Sequence, residues 1–471
     1  MTTTAHDSGT GDRAPLPEHL GHVIFITAAA AMGGFLFGYD SSVINGAVEA
    51  IRDKYDIGSA TLAQVIAIAL IGSAIGAATA GRIADRIGRI SCMRIASVIF
   101  TISAVGSALP FALWDLALWR IIGGFAIGMA SVIGPAYIAE VSPPAVRGRL
   151  ASFQQAAIVL GIAVSQLVNY GILQGANGDQ RGKIIGLEAW QLMLGVMVIP
   201  AVVYGLLSFT IPESPRFLLS VGRTADARAV LADVEGESAD LDGRVDEIRT
   251  AMRREHKSVF SDLLASRFSF LPIVWVGIGL SVFQQLVGIN VAFYYSATLW
   301  QSVGINPSSS FLYSFTTSIV NIIGTAIAMV FVDRIGRRPL ALIGSSGMAV
   351  SLALEAWAFS SKSGSTLPHT QGTVALVAGH VFVLFFALSW GVVVWVFLGE
   401  MFPNRIRAAA LGVAASAQWI ANWAITASFP TLADWNLSGT YVIYTCFAVL
   451  SIPFVLIFVK ETKGKSLEEM G

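Results

Sequence analysis

The sequence contains little charge for its length, and this scarcity limits the class of protein it encodes. Only 13% of its 471 residues are Asp, Glu, Lys or Arg, whereas 55% are hydrophobic. Soluble domains usually carry about 25% charged residues. The composition therefore indicates one integral membrane body, although the length alone would accommodate several soluble domains.

Cysteine is scarce too, and neither sign of charge is in excess. The two cysteines, Cys92 and Cys446, lie far apart and match no metal-ligand spacing, so neither a metal site nor a disulfide framework is indicated. Basic and acidic residues balance, so the charge does not favour binding to nucleic acid. The sequence also lacks a nucleotide-binding loop and a nucleophile triad, so we expect no enzyme activity and no cofactor.

Residues 1–20 are polar and contain Pro, Gly and Thr. They lack the basic stretch, apolar core and cleavage site that define a signal peptide. We therefore expect a disordered cytosolic tail at this end, and a second cytosolic tail over residues 461–471.

Long apolar segments are abundant. A transmembrane helix needs about 20 mostly apolar residues, and twelve segments meet this requirement. In chain order they span residues 22–47, 61–82, 92–110, 112–137, 151–173, 189–210, 271–299, 310–332, 339–360, 374–399, 407–428 and 440–459. The predicted fold class is an all-α membrane protein with two six-helix halves, 21–210 and 271–460. The charged region 211–270 between them is predicted to form short amphipathic helices in the cytosol.

The distribution of arginine predicts the orientation in the membrane. The loops after segments 2, 4, 8 and 10 are rich in arginine, whereas those after segments 3, 9 and 11 contain almost no basic residues. Lys and Arg are enriched in cytosolic loops. Even-numbered segments are therefore predicted to end in the cytosol, as in a multi-pass plasma-membrane protein with both termini inside.

Three motifs occur twice, in the same order. GRIADRIGRI (81–90) resembles FVDRIGRRPL (331–340), AEVSPPAVRGRL (139–150) resembles GEMFPNRIRAAAL (399–411), and PESPRFLL (212–219) resembles KETKGKSL (460–467). Such repeats are typical of transporters whose substrate site lies between the halves near the middle of the membrane.

The repeated motifs carry charges that predict a cytosolic gate. In this hypothesis their ion pairs form when the protein opens outward and break when it opens inward, with Glu140 and Glu400 pairing with Arg147 and Arg407. The gate residues are Asp85, Arg89, Glu140, Arg147, Glu213, Arg216, Asp333, Arg337, Arg338, Glu400, Arg407 and Glu461. The alternative is that the arginines only anchor the loops in the cytosol.

One carboxylate interrupts the first segment. A charge near the bilayer centre costs at least about 2.5 kcal/mol, so Asp40 needs a partner. Asp40 lies about 12 Å below the outer end of segment 1, and Arg120 lies about 9 Å deep in segment 4. These similar depths predict an Asp40–Arg120 pair, which either switches proton affinity during a transport cycle or is a static structural ion pair.

The motifs GGFLFGYD, GRIADRIGR, PESPRFLL, FQQLVGINVAFYYS, DRIGRRPL, WVFLGEMFPNRIR and KETKG stand in the order typical of one family. From about residue 20 onward the chain resembles the sugar porter family of the major facilitator superfamily. Within that family it is most similar to bacterial proton-coupled glucose, xylose and galactose permeases, and especially to the glucose permeases of actinobacteria. The resemblance implies transport by alternating access.

The resemblance also implies a sugar site. The positions in this sequence that match sugar-binding positions of the family are Gln155, Gln284, Gln285, Asn290, Asn321, Trp395 and Gln418, with Phe37 and Trp419 nearby. Amides donate and accept hydrogen bonds, as vicinal hydroxyls require. Each amide could instead connect helices. The family pattern assigns no firm role to Glu355 or His380.

Two further expectations come from the family pattern. Proton-coupled members have an Asp where Asp40 stands and an Arg where Arg120 stands, whereas uniporters have a neutral residue at the first position. The GVVVW stretch in segment 10 lacks the prolines of animal facilitators, so we expect its hinge at Gly391.

The sequence therefore predicts proton-driven import of a monosaccharide, and glucose is the favoured substrate. We expect a monomer whose partners are the sugar, a proton and the lipid bilayer. Two alternatives remain open. One is a facilitative uniporter with a structural Asp40–Arg120 pair, and the other is a membrane sugar sensor that does not transport.

Overall fold

The structure, a computed structural model, describes residues 19–143, 146–236, 240–254, 260–266, 269–362, 364, 366–403 and 405–462. The predicted tails at residues 1–20 and 461–471 therefore lie almost wholly outside the described residues. The first half contains α1 (Leu20–Val43), α2 (Val48–Tyr55), α3 (Ser59–Ile87), α4 (Arg89–Ala108), α5 (Leu113–Val141), α6 (Arg147–Gly175), α7 (Ala189–Gly195) and α8 (Val198–Leu207). A connecting region follows with α9 (Pro215–Ser220), α10 (Thr224–Glu235) and α11 (Leu241–Arg254).

The second half contains α12 (Pro272–Leu286), α13 (Val291–Tyr294), α14 (Ser296–Ser302), α15 (Pro307–Ile335), α16 (Arg337–Ser360), α17 (His369–Ala387), α18 (Trp390–Met401) and α19 (Arg407–Phe458). Two short antiparallel hairpins complete the described elements. In the first, β1 (Lys183–Ile184) pairs with β2 (Leu187–Glu188), and in the second, β3 (Leu264–Ser266) pairs with β4 (Ser269–Phe270).

The number of membrane crossings matches the prediction. Among the described residues, eleven helical stretches are long and apolar enough to cross a membrane. The last of them, α19, has 52 residues and bends at Asn436, whose φ of −164° and ψ of 103° are not helical. At 1.5 Å per residue it is about 78 Å long, more than twice the thickness of the hydrocarbon core. The bend divides α19 into two crossings, so the predicted twelve are confirmed.

Two crossings are broken within their length. Segment 7 is interrupted between α12 and α13, where Gly288 has a φ of +84° that favours glycine. Segment 10 is interrupted between α17 and α18, where Ser389 has a φ of −133° and a ψ of −93°. The predicted hinge at Gly391 was therefore placed two residues too late, since Gly391 already lies inside α18. The Ser389 hydroxyl donates back to the carbonyl of Phe385, which satisfies a polar group at the break without proline.

The two halves pack mainly within themselves and meet along two helix pairs. Within the first half α3 packs on α5 and α1 on α6, and within the second half α16 packs on α17 and α19. Between the halves, α3 contacts α19 and α6 contacts α15. The connecting helices have a small core of their own, which includes Leu218, Leu231 and Val245.

The repeated motifs lie at equivalent one-residue turns. Gly88, with a φ of +93°, separates α3 from α4, and Gly336, with a φ of +101°, separates α15 from α16. A Cβ at Gly88 would lie 2.3 Å from a carboxylate oxygen of Glu213, so the turn needs glycine for space as well as for conformation. We call the membrane side with Gly88 and Gly336 the arginine-rich side. The other side, where α1 ends near Asn45, is called the opposite side.

Candidate functional site

The charged pair predicted from helix depths is present in the core of the first half. Nη1 of Arg120 donates to Oδ1 of Asp40 at 3.1 Å, and the two side chains are only 5% and 6% exposed. The second carboxylate oxygen of Asp40 and Nε of Arg120 have no hydrogen-bond partner among the described residues. The pair is buried but incompletely satisfied, and such a pair is sensitive to any change in separation or hydration.

A tyrosine from the broken segment 7 faces this pair. The Tyr294 side chain at the end of α13 interacts with the side chains of Ser41 and Asn422, and it lies close enough to sense the charges of Asp40 and Arg120. Residues 40 and 41 belong to α1 and residue 422 to α19. The charged pair of one half therefore lies near the broken segment 7 of the other half.

A chain of side-chain amides lies in the second half. The carbonyl oxygen of Gln284 accepts from Gln418 at 2.8 Å and from Gln285 at 3.2 Å, and its amide nitrogen donates to the carbonyl of Trp390 at 2.8 Å. Asn290 donates to Gln285. The amides thus connect α12, α18 and α19 next to both helix breaks. The carbonyl oxygen of Gln418 is buried without a partner among the described residues, so the chain retains hydrogen-bonding capacity for a ligand.

The other predicted binding residues differ in how deeply they are buried around this chain. Phe37 of α1 and Trp419 of α19 pack with ring centroids 5.7 Å apart, which joins the two halves. Asn321 is buried, and Gln155 is half-buried. Trp395 is 45% exposed, so its indole is open to the surroundings of α18 and is not enclosed by protein in this arrangement.

Charged side chains on the arginine-rich side cap two helices in the same way. Glu213 accepts from the backbone nitrogens of Arg89 at 3.0 Å and Ile90 at 3.1 Å, at the start of α4. Glu461 accepts from the backbone nitrogens of Arg337 at 3.0 Å and Arg338 at 2.9 Å, at the start of α16. A carboxylate at a helix N-terminus satisfies free N–H groups and interacts favourably with the helix dipole.

The buried ion pairs of this side also repeat. Nη2 of Arg89 lies 2.9 Å from Glu140, and Nη2 of Arg337 lies 2.8 Å from Glu400. The second oxygen of Glu140 accepts from the Ser214 hydroxyl, and that of Glu400 accepts from Thr462 at 2.6 Å. Each of these networks joins residues of one half and its adjoining loop, so the named contacts do not cross between the halves.

The partners within these networks differ from the prediction. Glu400 pairs with Arg337 and not with Arg407, which instead donates to the carbonyl of Phe402. Glu140 pairs with Arg89, and the side chains of Arg147 and Asp333 lie outside the described part of the chain. The sequence suggested pairing within one motif, whereas the fold brings the glutamate of one motif against the arginine of another.

The remaining gate residues hold positions around the networks. Asp85 pairs with Arg89 at 3.3 Å, and Arg338 donates to the carbonyl of Leu456 at 2.6 Å. Arg216 is half-buried in α9.

Hydrogen bonds that cross between the halves lie on the opposite side. The Asn45 side chain donates to Gln166 at 3.0 Å and to Ser314 at 3.2 Å, and it accepts from the backbone nitrogen of Ala297 at 3.0 Å. Gln166 also donates to the carbonyl of Phe293 at 3.2 Å. The opposite side is therefore held closed by contacts from α6 and the end of α1 to segment 7 and α15.

The sequence analysis missed these closing residues. Gln166 lies within a hydrophobic segment, in the stretch VSQLVNYG, and carries the same polar signal that identified Gln155 in the same helix. Asn45 follows the end of α1 and resembles an ordinary loop residue. Only the fold shows that it reaches α15 and the start of α14.

Two pseudo-symmetric six-helix bundles with buried polar side chains at their interface define a membrane transporter. The chain belongs to the sugar transporter family, since the family model described as "Sugar (and other) transporter" matches residues 26–471. The chain is 49% identical over 454 residues to the "Glucose transport protein" of Synechocystis sp., a match that covers 95% of this chain and 97% of that protein.

Solved structures agree with this assignment. The structure is similar to the inward-open xylose transporter of Escherichia coli, with a TM-score of 0.81, 35% identity and coverage of 95% of this chain and 99% of that one. It is also similar to the proton:xylose symporter bound to 6-bromo-6-deoxy-D-glucose, with a TM-score of 0.78, 34% identity and coverage of 96% and 98%. The predicted fold class and family are confirmed.

Proposed function

We propose that the protein imports a monosaccharide together with a proton, and that the sugar is glucose. The observation that carries the coupling is the buried Asp40–Arg120 pair with its unsatisfied carboxylate oxygen. A proton on Asp40 removes the charge that holds Arg120, whereas an ionised Asp40 restores it. The similarity to a glucose transport protein and to a proton:xylose symporter supports this proposal.

Sugar binds, in this proposal, between the halves. The amide chain of Gln284, Gln285, Asn290 and Gln418 presents donors and acceptors to sugar hydroxyls, and Asn321 and Gln155 extend this set. The packed rings of Phe37 and Trp419 provide an apolar wall contributed by both halves. Trp395, exposed here, would cover the sugar when the halves approach each other on the arginine-rich side.

We infer that this arrangement is the inward-facing one and that the arginine-rich side is cytosolic. The positive charge of that side supports the orientation. In this orientation the connecting helices and both chain ends lie on the cytosolic side of the plasma membrane. The hydrogen bonds from Asn45 and Gln166 close the opposite, outer side. A single chain contributes both walls of the site, so we expect the monomer to be sufficient for transport.

The role of the cytosolic ion pairs stays a prediction. In this inward-facing arrangement the pairs Arg89–Glu140 and Arg337–Glu400 are formed within their own halves. If the cytosolic mouth opened by breaking these ion pairs, the packing within each half would therefore have to change. The predicted gate breaks these pairs when the protein opens inward, whereas here they are formed. A gate that keeps each network intact and brings the two networks together is therefore a different hypothesis.

Proton uptake by a lightly buffered suspension of cells that express the protein tests the coupling. Addition of glucose should make the medium alkaline, because each sugar carries a proton inward. Uptake without any pH change would contradict symport and leave the facilitative uniporter. Binding without uptake, in a strain that lacks other permeases, would leave the sugar sensor. A competition series with unlabelled xylose and galactose tests the choice of glucose.

A further inference from the structure

A small, partly enclosed cavity lies behind the break in segment 7. Its volume is about 30 Å³, and its wall includes Gly288 and Ala292 of segment 7, Glu355 of α16 and His380 of α17. None of the six amides of the proposed sugar site is among its described lining residues. The cavity has room for water.

Two polar groups in this wall have no protein partner. Glu355 is only 3% exposed, and its Oε2 makes no hydrogen bond among the described residues. The Tyr444 hydroxyl, which lines the same cavity, is also without a partner among them. The other oxygen of Glu355 lies against Gly379, where a Cβ would come within 2.9 Å. A water in the cavity would satisfy both unpaired groups, as buried waters commonly do.

The imidazole in the cavity wall has both ring nitrogens bonded to protein. Nδ1 of His380 lies 2.7 Å from the carbonyl of Leu376, and Nε2 lies 2.9 Å from the Thr316 hydroxyl, which is itself 3.0 Å from the carbonyl of Tyr313. With Nδ1 donating to Leu376 and Nε2 accepting from Thr316, the neutral imidazole is fully hydrogen-bonded. Neither nitrogen is left to compensate a charge on Glu355.

Among the described residues that line this cavity there is no Lys or Arg. The titratable groups that face Glu355 are His380 from α17 and Tyr441 and Tyr444 from α19. Segment 7 and α15 contribute hydroxyl and apolar groups. An ionised Glu355 would thus be an uncompensated buried charge, which is strongly unfavourable. A proton on the carboxyl removes this penalty.

Closure of segment 7 creates this environment. Gly288 and Ala292 form one wall of the cavity, and a Cβ at Gly288 would lie 2.7 Å from the Tyr444 ring. The adjoining α14 contributes Ser296, whose hydroxyl accepts from Ser314 at 2.9 Å. A movement of α13 and α14 away from this wall would admit water to Glu355, hydrate its carboxylate and remove the requirement for a proton.

We propose that this cavity is a second proton-binding site, in which the Glu355 carboxyl holds one proton, and that α13 and α14 close the outer side only when that proton is bound. The inference rests on the proposed alternating access, but it is independent of coupling at Asp40. The proton enters from the outer solution and returns to it when the outer side reopens. It is therefore not carried across the membrane, and it controls the rate of closure without adding to the proton stoichiometry.

Thiol labelling from the outside tests this proposal without measuring transport. A Ser296→Cys reporter is buried in the closed arrangement and becomes reactive when α14 moves, and Cys446→Ser removes the exposed native thiol. A membrane-impermeant maleimide is applied to right-side-out vesicles containing the full-length protein over about pH 5 to 9. The same series is run in the Glu355→Gln variant, and the labelling rate of the Glu355 protein is divided by that of the variant at each pH. The pH dependence of the thiol and of Asp40 is common to both proteins and cancels in this ratio.

We expect labelling in the Glu355 protein to rise with pH relative to the Glu355→Gln protein, by up to about tenfold per pH unit, because opening releases one proton. A ratio that stays constant over the whole range would overturn the proposal. Should Glu355→Gln fail to fold, Glu355→Leu fills the site with an apolar side chain and should be equally insensitive to pH. Tyr444→Phe is the matched control, since it removes an unpaired hydroxyl but no proton and should keep the slope. Loss of the slope in Tyr444→Phe would contradict the assignment to Glu355.

Discussion

Arg120 donates to Asp40 at 3.1 Å in a site where both side chains are about 95% buried. The two residues come from α5 and α1, and Tyr294 from the broken segment 7 faces them. In the proposed mechanism, a proton on Asp40 weakens this ion pair beside a residue of the second half. This relationship supports the first prediction.

Replacement of Asp40 by Asn should abolish uphill accumulation of glucose while sparing counterflow. The variant keeps the shape of the side chain but cannot change its charge, so the membrane potential no longer drives the sugar. One proton charge is worth about 2.3 kcal/mol per 100 mV, which supports an accumulation of about 50-fold. We expect the accumulation ratio of the variant to fall to about one, as measured with labelled glucose in energised vesicles.

Asp115→Asn is the matched control for that variant. Asp115 is also buried, but it lies at the start of α5, where its side chain accepts from the backbone nitrogen of Phe111. An amide oxygen can replace that interaction, so accumulation should persist. Continued accumulation by Asp40→Asn would show that the Asp40–Arg120 pair is structural.

Loss of the central amide should weaken sugar binding. Gln284 accepts from both Gln418 and Gln285, so Gln284→Leu removes one ligand group and leaves two donors unpaired. Loss of hydrogen bonds in a site built for hydroxyl groups costs about 1–3 kcal/mol, which corresponds to a 5- to 150-fold higher Kd for glucose. Tryptophan fluorescence or calorimetric titration of the purified protein measures this change.

The control for Gln284 is Gln301→Leu. Gln301 is a partly buried amide of α14, and its amide nitrogen has no partner among the described residues. Its replacement should leave the Kd within about twofold of the original value, because it removes no side-chain contact of the amide chain. An unchanged Kd in Gln284→Leu would place the sugar elsewhere.

Asn45 should control how often the opposite side opens. It makes three side-chain hydrogen bonds, two of them to the second half, and each is worth about 0.5–1.5 kcal/mol. Asn45→Ala should therefore increase hydrogen exchange in α13 and α14, measured by mass spectrometry. Peptides from α16 should exchange as before. Equal exchange in α13 and α14 with and without Asn45 would show that these bonds do not hold the opposite side closed.

The two helix caps on the arginine-rich side should contribute equally to stability. Glu213→Gln and Glu461→Gln remove the charge from equivalent caps, and each should cost about 0.5–1 kcal/mol through the weakened helix-dipole interaction. We expect similar reductions in the midpoint of thermal unfolding of the two variants in detergent. A large difference between them would contradict the equivalence of the two halves.

The parts of the fold that follow from local pattern were predictable. Apolar length located the crossings, and counting residues from the membrane surface brought Asp40 and Arg120 to one depth. The break at Ser389 and the pairing of Glu400 with Arg337 were not predictable in the same way. The first depends on a backbone bend without glycine or proline at the break, and the second on contact between motifs far apart in sequence.

The sugar site shows the same division between local and long-range information. The amides of segment 7 are recognisable because polar side chains are rare in membrane helices. Their mutual hydrogen bonds depend on how α12, α18 and α19 converge. Asn45 carries no local signal of its role, since its partners Ser314 and Ala297 lie more than 250 residues away in the chain.

The paired networks of Arg89 with Glu140 and Arg337 with Glu400 have an evolutionary consequence. An ancestral six-helix unit that already held such a network could assemble with a second copy before the two genes fused. After fusion, natural selection could act on each copy separately. In this chain the first half carries the charged pair and the second half carries the amide chain, while both keep the same cap and ion-pair framework.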